Sequence, residues 1–529
     1  MEGVYMARIS KLHIEGYRKF VNFDINFNEN VNVLVGENEA GKSTILDALF
    51  LVLNQQYRNA DKSFIKDLIN QKMVDNFLRN PSVENLPYIV LELHLCLDTK
   101  EKNAEYFFGE NNCAKSEGFG IRFECNFDNE LGSSLDKEIN EGKIPYEYYN
   151  LRWVTFAGLP YQLIKRPLSF LSINTSNGDS NSSFNYYNRS LFTSIYDENT
   201  RMSAKNAFRD LLNDACAQIG LPYIGDDRRF GINAKKVILE SILSVYEGEI
   251  PLENRGSGME SLIKTQIALD RKQSKLDVIL IEEPENHLSP SSMQKMLHEI
   301  MNRQENSQLI IATHSNLIAC RLSLNNVLWI TGNQAMSLMS VTKTVSDFFV
   351  KAADNSFLQL LLSEKVLLVE GATEFLLLPK LYYQITSRSI EQDGISIISC
   401  NGISYMNYIE IAKVAGKRVA VLTDNDGNPD KIADANSFNK DNDALHIFLN
   451  PDINEWTWEV CFYNLNKTVL ESMISVTEGA QYLFHGEDYG QVLGKMLNNK
   501  VDTAYRMTLS DQTFEIPQYI EDAIKWLNK

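Results

Sequence analysis

The sequence predicts an α/β protein with two successive modules, each built on a parallel sheet, the first interrupted by a helical insertion. Three observations carry this. Strand-like and helix-like segments alternate from Asp277 to Ala312 and again from Lys365 to Leu422. A glycine-containing loop joins an apolar strand to a helix between Val31 and Leu53. The stretch between about Asn150 and Ile250 loses the alternation. Strands and helices alternating at this pitch imply a parallel sheet. A chain of 529 residues exceeds what one hydrophobic core serves, so two or three domains are expected.

In chain order, Ile9–Ile14 and the alternating Phe23–Phe27 read as strands, Val31–Val35 as a compact apolar strand, Thr44–Leu53 as a helix and Tyr88–Leu97 as a strand. Asn174–Asn188 is dense in Ser, Asn and Gly and reads as a loop, while Ala204–Ala217 reads as a helix. Helices are then expected at Glu260–Asp270 and Ser291–Asn302, with strands at Asp277–Ile281 and Gln308–Ala312. The second series is strand Lys365–Val369, helix Thr373–Gln384, strand Ile395–Ser399, helix Tyr405–Ala415 and strand Arg418–Leu422. The expected division is 1–150 and 251–347 for the two parts of the first module, 151–250 for the insertion and 348–529 for the second module.

A hydrophobic content of 44% with 23% charged residues is that of an ordinary folded protein. No apolar run approaches the ~20 residues that span a bilayer, and Met1–Lys11 lacks a signal-like apolar stretch, so a soluble, cytoplasmic protein is expected. The seven cysteines are scattered and contain no C-x-x-C pair, which argues against a disulfide framework or a zinc site. A net charge of -18 weighs against indiscriminate DNA binding. A local groove stays open, because Lys165 and Arg166, Arg228 and Arg229, Lys235 and Lys236, and Arg271, Lys272 and Lys275 form small basic clusters.

Gly36-Glu-Asn38-Glu-Ala-Gly41-Lys42-Ser43 fits G-x-x-x-x-G-K-[ST] between a buried strand and a helix. The glycines let successive N–H groups face phosphate, and the helix that includes Thr44 adds its positive end. Lys42 would reach the β- and γ-phosphates and Ser43 would hold Mg²⁺. Val278–Ile281 runs into Glu282-Glu283-Pro284, acidic residues at the carboxyl end of a strand where open sheets bind ligands. Glu282 would bind Mg²⁺ directly or through water, and Glu283 would orient or deprotonate the attacking water. His314 follows the next strand, and Arg255-Gly256-Ser257-Gly258 opens a helix.

Together these motifs resemble the ABC-type ATPases of the SMC kind. The resemblance makes Ser257 and Gly258 part of a signature loop that completes the ATP site of a second subunit, and so implies a paired assembly. The signature is not the full L-S-G-G-Q, Glu282 stands where Asp is commoner, and no glutamine loop is located. ATP binding is therefore carried over further than turnover.

The second half gathers carboxylates. Glu370 ends an apolar strand, Gly371 turns, and Glu374 falls in the first helical turn; Val419–Leu422 then runs into Thr423-Asp424-Asn425-Asp426-Gly427. Asp424 and Asp426 point to one side if strand geometry persists. Such a cluster calls for oxygen-preferring cations, Mg²⁺ or Mn²⁺. E-G-x-x-E followed by D-x-D resembles the Toprim domain, and an ABC-type ATPase ahead of a Toprim domain resembles the OLD family of nucleases, which includes the ATPase-nuclease subunit of Gabija-type and related retron-associated phage defence. That resemblance implies a DNA endonuclease or nickase using ATP and Mg²⁺ (or Mn²⁺), with Glu459 and Lys500 completing the site. It implies DNA, further copies of the chain in a dimer or tetramer, and a helicase or a reverse transcriptase with its RNA–DNA as partners. The rival expectations are a DNA-maintenance ATPase that binds without cutting, and an effector held silent by a partner.

Overall fold

A computed structural model describes residues 7–57, 61–100, 103–174, 180–218, 237–270, 276–303, 307–351, 356–400, 404–477 and 481–529. The basic clusters at 228–229, 235–236 and 271–275 lie outside the described residues. The chain divides into two compact units, Met1–Ser337 and Leu338–Lys529.

The first unit holds two six-stranded sheets. One is antiparallel: Phe20–Asn26, Arg8–Tyr17, Ile89–Cys96 and Gly118–Phe127 lie side by side, and both Phe108–Gly109 and Tyr149–Thr155 pair with Gly118–Phe127. The other is parallel apart from one edge hairpin. Its order is Gln334–Ser337, Val327–Thr331, Val31–Gly36, Gln308–Ala312, Val278–Glu282 and Phe170–Asn174. Val31–Gly36, Gln308–Ala312 and the first four residues of Val278–Glu282 are buried throughout, as expected for strands covered on both faces. The helix Lys42–Asn54 buries Ile45, Leu49 and Val52 in a core shared with the antiparallel sheet.

One buried side chain hydrogen-bonds from the parallel sheet to the antiparallel one. Gln308, fully buried, donates through Nε2 to the carbonyls of Ile9 (2.8 Å) and Asn28 (2.9 Å) and accepts from the Ile9 N–H (2.9 Å).

The segment 151–250 contains more sheet than its composition indicates, because Tyr149–Thr155 and Phe170–Asn174 belong to the two sheets. Of the loop expected over Asn174–Asn188, residues 175–179 lie outside the described residues, and the rest is corrected: a helix runs from Ser180 to Ile195, and a second follows from Glu198 to Gln218. Ser and Asn favour turns by competing for backbone hydrogen bonds. Tyr187 and Leu191, one helical turn apart and both buried, outweigh that preference here.

The second unit is a four-stranded parallel sheet ordered Ile395–Ser399, Lys365–Val369, Arg418–Leu422, Leu445–Phe448. The chain leaves Lys365–Val369 to one side and returns on the other, so the carboxyl ends of Lys365–Val369 and Arg418–Leu422 flank a topological switch point. The helices Ala372–Thr386, Trp458–Met473, Lys500–Leu509 and Gln518–Leu527 contribute Leu377, Phe462, Met507 and Ile524 to its core.

Gln308→Leu would leave the buried N–H and carbonyl of Ile9 without this partner, while the Asn28 carbonyl keeps Asn32 Nδ2 (3.0 Å). At 1–3 kcal/mol per orphaned group, the expected loss of stability is at least about 2 kcal/mol. Urea unfolding of the full chain reads this as a lower midpoint for the N-terminal unit; an unchanged midpoint would remove Gln308 as the link between the sheets.

Candidate functional site

The loop after Val31–Gly36 and the helix from Lys42 form one wall of a cavity of about 630 Å³, lined by Lys19, Asn38 to Thr44, Glu283 and His314. Two glycines are required by space. A Cβ on Gly36 would meet the Ile330 carbonyl oxygen at 2.7 Å; Gly41 has φ +108° and a Cβ there would meet the Phe20 ring at 2.3 Å. Gly41 caps the helix without a side-chain hydrogen bond, so the first-turn N–H groups face the cavity opening unclaimed by a cap.

Lys42 is buried and folded back on the loop, donating to the carbonyls of Gly36 (2.9 Å) and Glu37 (3.0 Å). Burial pulls its ammonium down to about 8, against the opposing pull of Glu283 and Glu285. The Ser43 hydroxyl is hydrogen-bonded to Glu282, whose carboxyl burial pushes up; Glu282 also accepts from Asn174 Nδ2 (2.6 Å). Glu283 adopts φ +46°, its N–H donates to the Ala312 carbonyl (2.8 Å), and its carboxylate lies 3.8 Å from His314 Nε2. Burial and then Lys42 push the imidazole of His314 down, favouring its neutral form.

Gly258 lies elsewhere. It is in the first turn of Ser257–Leu269, where a Cβ would meet the His287 carbonyl oxygen at 2.2 Å, and it is not among the described residues lining the cavity. The side chain of Ser257 lies outside the described residues.

In the second unit the structure brings Glu370, Glu374, Asp424, Glu459 and Lys500 together. Glu370 accepts from the Thr423 hydroxyl (2.9 Å) and the Asp424 N–H (3.2 Å). Asp424 accepts from the Trp458 N–H (2.8 Å). Glu459, buried in the first turn of Trp458–Met473, accepts from Thr457, from Thr373 (3.4 Å) and from Lys500 Nζ (2.8 Å). Burial, then repulsion from Glu459 and Glu370, pushes the Glu374 carboxyl up to about 7. Burial, then Glu374, Glu459 and Glu370, pushes Asp424 up to about 8. No three of these carboxylates offer oxygens within 4.8 Å of one another among the described residues.

Asp426 departs from the expected geometry. Its φ is +53°, so strand alternation ends before it; its exposed carboxylate pairs with Lys431 (2.7 Å) rather than joining the buried group. Lys431 also donates to the Asp424 carbonyl (2.6 Å) and, with Glu370, Ser404, Tyr405 and Thr423, lines a cavity of about 190 Å³.

Residue spacing did not single out Lys19, Lys431 or Glu285. Glu285 accepts from the Thr313 hydroxyl (2.8 Å) and the His314 N–H (2.7 Å), and its other oxygen is buried without a hydrogen-bond partner. Its position three residues after Glu282 was the available signal, and Lys19 lies within the quoted Tyr17–Phe20 segment.

Residues 7–319 match the AAA ATPase domain family, and residues 361–426 match the family described as overcoming lysogenization defect protein-like, TOPRIM domain. The Old nuclease of Escherichia phage P2 is 26% identical over 217 residues, 39% of this chain and 34% of that protein. The chain thus matches about a third of that relative's length. The Septu protein PtuA of Bacillus thuringiensis is 24% identical over 338 residues, 61% of this chain and 76% of that protein. A solved SMC head bound to the C-winged helix domain of ScpA covers 63% of this chain and 99% of its own at 15% identity, with a TM-score of 0.34.

Both carboxyl shifts are upward, so the folded cluster holds protons that an unfolded chain, titrating near 4, has released. The cluster's contribution to stability is then greatest below pH ~4 and falls as pH rises towards about 8. Asp424→Asn is expected to match the unsubstituted chain near pH 4 in chelator and to become progressively more stable than it up to pH 8. Denaturant midpoints across that range check this, and a gap that fails to widen refutes it. At the nucleotide cavity, Lys42→Ala removes a charged donor worth about 1.5–3 kcal/mol. ATP affinity should fall about 10- to 100-fold in equilibrium binding.

Proposed function

Because the chain belongs to the AAA ATPase domain family and carries an OLD-like Toprim domain, we propose that it is an ATP-binding, divalent-metal-dependent DNA endonuclease or nickase acting in anti-phage defence. One observation carries the nuclease reading: Glu370, Glu374, Asp424 and Glu459 gather around two strand ends at a switch point with Lys500 bonded to Glu459, and two of the four are pushed up by burial and mutual repulsion. A group so short of counter-charge, and offering only oxygen donors, fits Mg²⁺ or Mn²⁺. Divalent cations held among these carboxylates would polarise the phosphodiester and lower the pKa of the attacking water.

The protein's own groups prepare that chemistry. Thr423 and the Asp424 N–H orient Glu370, and the Trp458 N–H orients Asp424, so each is held at its strand end, and a cation would draw the carboxylate oxygens closer together on binding. Lys500 lies beside Glu459 and would support charge growing on the phosphorane-like transition state. Asp426, exposed and paired with Lys431, would take an outer position at the site.

In the ATPase unit, phosphate oxygens are stronger acceptors than the Gly36 and Glu37 carbonyls, so ATP would draw Lys42 out of its resting bonds. Ser43 and Glu282, already in contact, would hold the nucleotide's Mg²⁺, with Asn38, Gly36, Gly41 and Thr44 shaping the phosphate cradle. Glu283, beside His314, would orient the attacking water. Ser257 and Gly258 would serve the ATP site of a second copy, making a homo-oligomer the working form. No helix among the described residues is long and apolar enough to cross a membrane. A cytoplasmic location, and a helicase or a reverse transcriptase with its RNA–DNA as partner, are part of the same proposal.

Plasmid and linear DNA incubated with the full chain and Mg²⁺ or Mn²⁺ should be cut, and Asp424→Ala or Glu370→Ala should abolish cutting while leaving ATP binding intact. Lys500→Ala should slow it about 10²- to 10³-fold. Equal cleavage by the full chain and Asp424→Ala would end the nuclease assignment. ATP binding with DNA binding but no cleavage under any metal would favour the maintenance ATPase, and cleavage appearing only with a copurified partner would favour the silenced effector.

A further inference from the structure

On one face of the antiparallel sheet, a polar row crosses four strands: Asp24 lies opposite His13, His13 opposite Glu92, and Glu92 opposite Arg122. Glu15, two residues beyond His13 on the same strand, projects from the same face. The segment between Gly109 and Gly118 folds over this row and is anchored there by the Cys113 N–H, which donates to Glu92 Oε1 (2.7 Å). The anchoring brings a thiol to the pair on the first strand. His13 Nε2, the Glu15 carboxylate and Cys113 Sγ lie within 4.8 Å of one another. The individual separations are 3.1 Å from His13 Nε2 to Glu15 Oε1 and 3.9 Å from Cys113 Sγ to the same oxygen. With metal bonds of about 2.0–2.3 Å, the edges of a tetrahedral site measure about 3.3–3.8 Å, so these separations straddle what one shared cation needs.

We propose that His13, Glu15 and Cys113 form a binding site for a divalent cation of the zinc class. Three further features fit that occupant. The other imidazole nitrogen, Nδ1, lies 3.0 Å from Asp24 Oδ1, the carboxylate–histidine pairing that fixes the ring and leaves Nε2 to a metal. The Arg122 guanidinium donates to Cys113 Sγ (3.2 Å) and holds the sulfur beside His13 and Glu15; burial and then Glu92 push the thiol up, so a cation would displace its proton on binding. Arg122 is itself paired with buried Glu92 and with Glu124 (2.5 Å), so its charge is held in place without being free to compete for Glu15. A mixed nitrogen, oxygen and sulfur set selects zinc-class ions over Mg²⁺, which prefers oxygen alone. The site shares no residue with the nucleotide cavity or the carboxylate cluster. Its three protein ligands leave a fourth position for water, and the cation would clip the Cys113 segment to the first strand, four residues ahead of Lys19 in the nucleotide cavity.

Cysteine spacing gives no sign of such a site, since the proposed ligands come from a strand and a loop about 100 residues apart and no local pattern announces them.

The test uses the full chain, stripped with chelator and titrated with Co²⁺. The expected result is a thiolate-to-cobalt charge-transfer absorption that saturates at one ion per chain and is abolished by added Zn²⁺. Cys113→Ser should lose the band, whereas Cys400→Ser and Asp424→Asn should keep it, which separates this site from the Toprim cluster and its neighbouring thiol. Asp24→Asn should weaken cobalt binding about 10- to 100-fold. Cys113 is exposed, so its substitution should leave circular dichroism and ATP binding unchanged. A chain without the band, or a band that survives Cys113→Ser, overturns the site and would leave His13 as a plain bridge between Asp24 and Glu15. Neither result bears on DNA cleavage.

Discussion

Charge placed where a buried parallel strand ends is the constraint on which both candidate sites depend. Val278 to Ile281 and Val366 to Val369 are essentially inaccessible to solvent, so the first residue able to meet a ligand is the one at which the chain leaves the sheet. In the first unit the exit of Val31–Gly36 leads to the loop and Lys42, and the exit of Val278–Glu282 places Glu283 on the wall of the same cavity. In the second unit they supply carboxylates, with Lys500 as the contacting cation on Glu459. The same strand-end geometry thus gives sites of opposite sign, and the side chain at the exit decides which.

The two units handle their buried charge differently. Lys42 rests on two carbonyls of its own loop, so its charge is internally satisfied. Glu374 and Asp424 have no equivalent resting partner strong enough to restore ordinary carboxyl values, and both are pushed towards neutrality. A cluster in that condition is tolerated because Trp458, Thr423 and Thr457 satisfy the carboxyl oxygens from neighbouring backbone and hydroxyl groups.

How much of this was legible follows from the kind of strand. Gln308–Ala312, Lys365–Val369, Ile395–Ser399 and Arg418–Leu422 have the bounds that the sequence pattern predicts; in all but the edge strand Ile395–Ser399 this is because a strand covered on both faces reads as an apolar run. Gly118–Phe127 and Tyr149–Thr155 escaped notice: Arg122, Glu124 and Arg152 interrupt them, and their glycines and asparagines resemble loop composition. Among site residues, those tied to a motif were readable one at a time. Glu285, Lys19 and Lys431 were not, because their importance comes from contacts with His314, the phosphate loop and Asp424, which only the folded chain creates.

Asp426 shows where local reasoning gives way to backbone geometry. Alternation places Asp424 and Asp426 on one side only while the chain stays extended, yet Asp426 sits at φ +53°, and Glu283 at the corresponding exit in the other unit sits at φ +46°. Non-glycine residues enter this region at a cost of about 1 kcal/mol or more, and they stay there when surrounding bonds over-determine them. The Asp426 N–H is held by the Trp456 carbonyl (3.0 Å) and the Glu283 N–H by that of Ala312 (2.8 Å). Each turn therefore separates two neighbouring acidic side chains: Asp424 goes inward and Asp426 to Lys431, Glu282 to Ser43 and Glu283 to the cavity wall beside His314. Two carboxylates close in sequence acquire different surroundings, and hence different chemical roles, through one left-handed residue whose strain the strand-end hydrogen bonds hold in place.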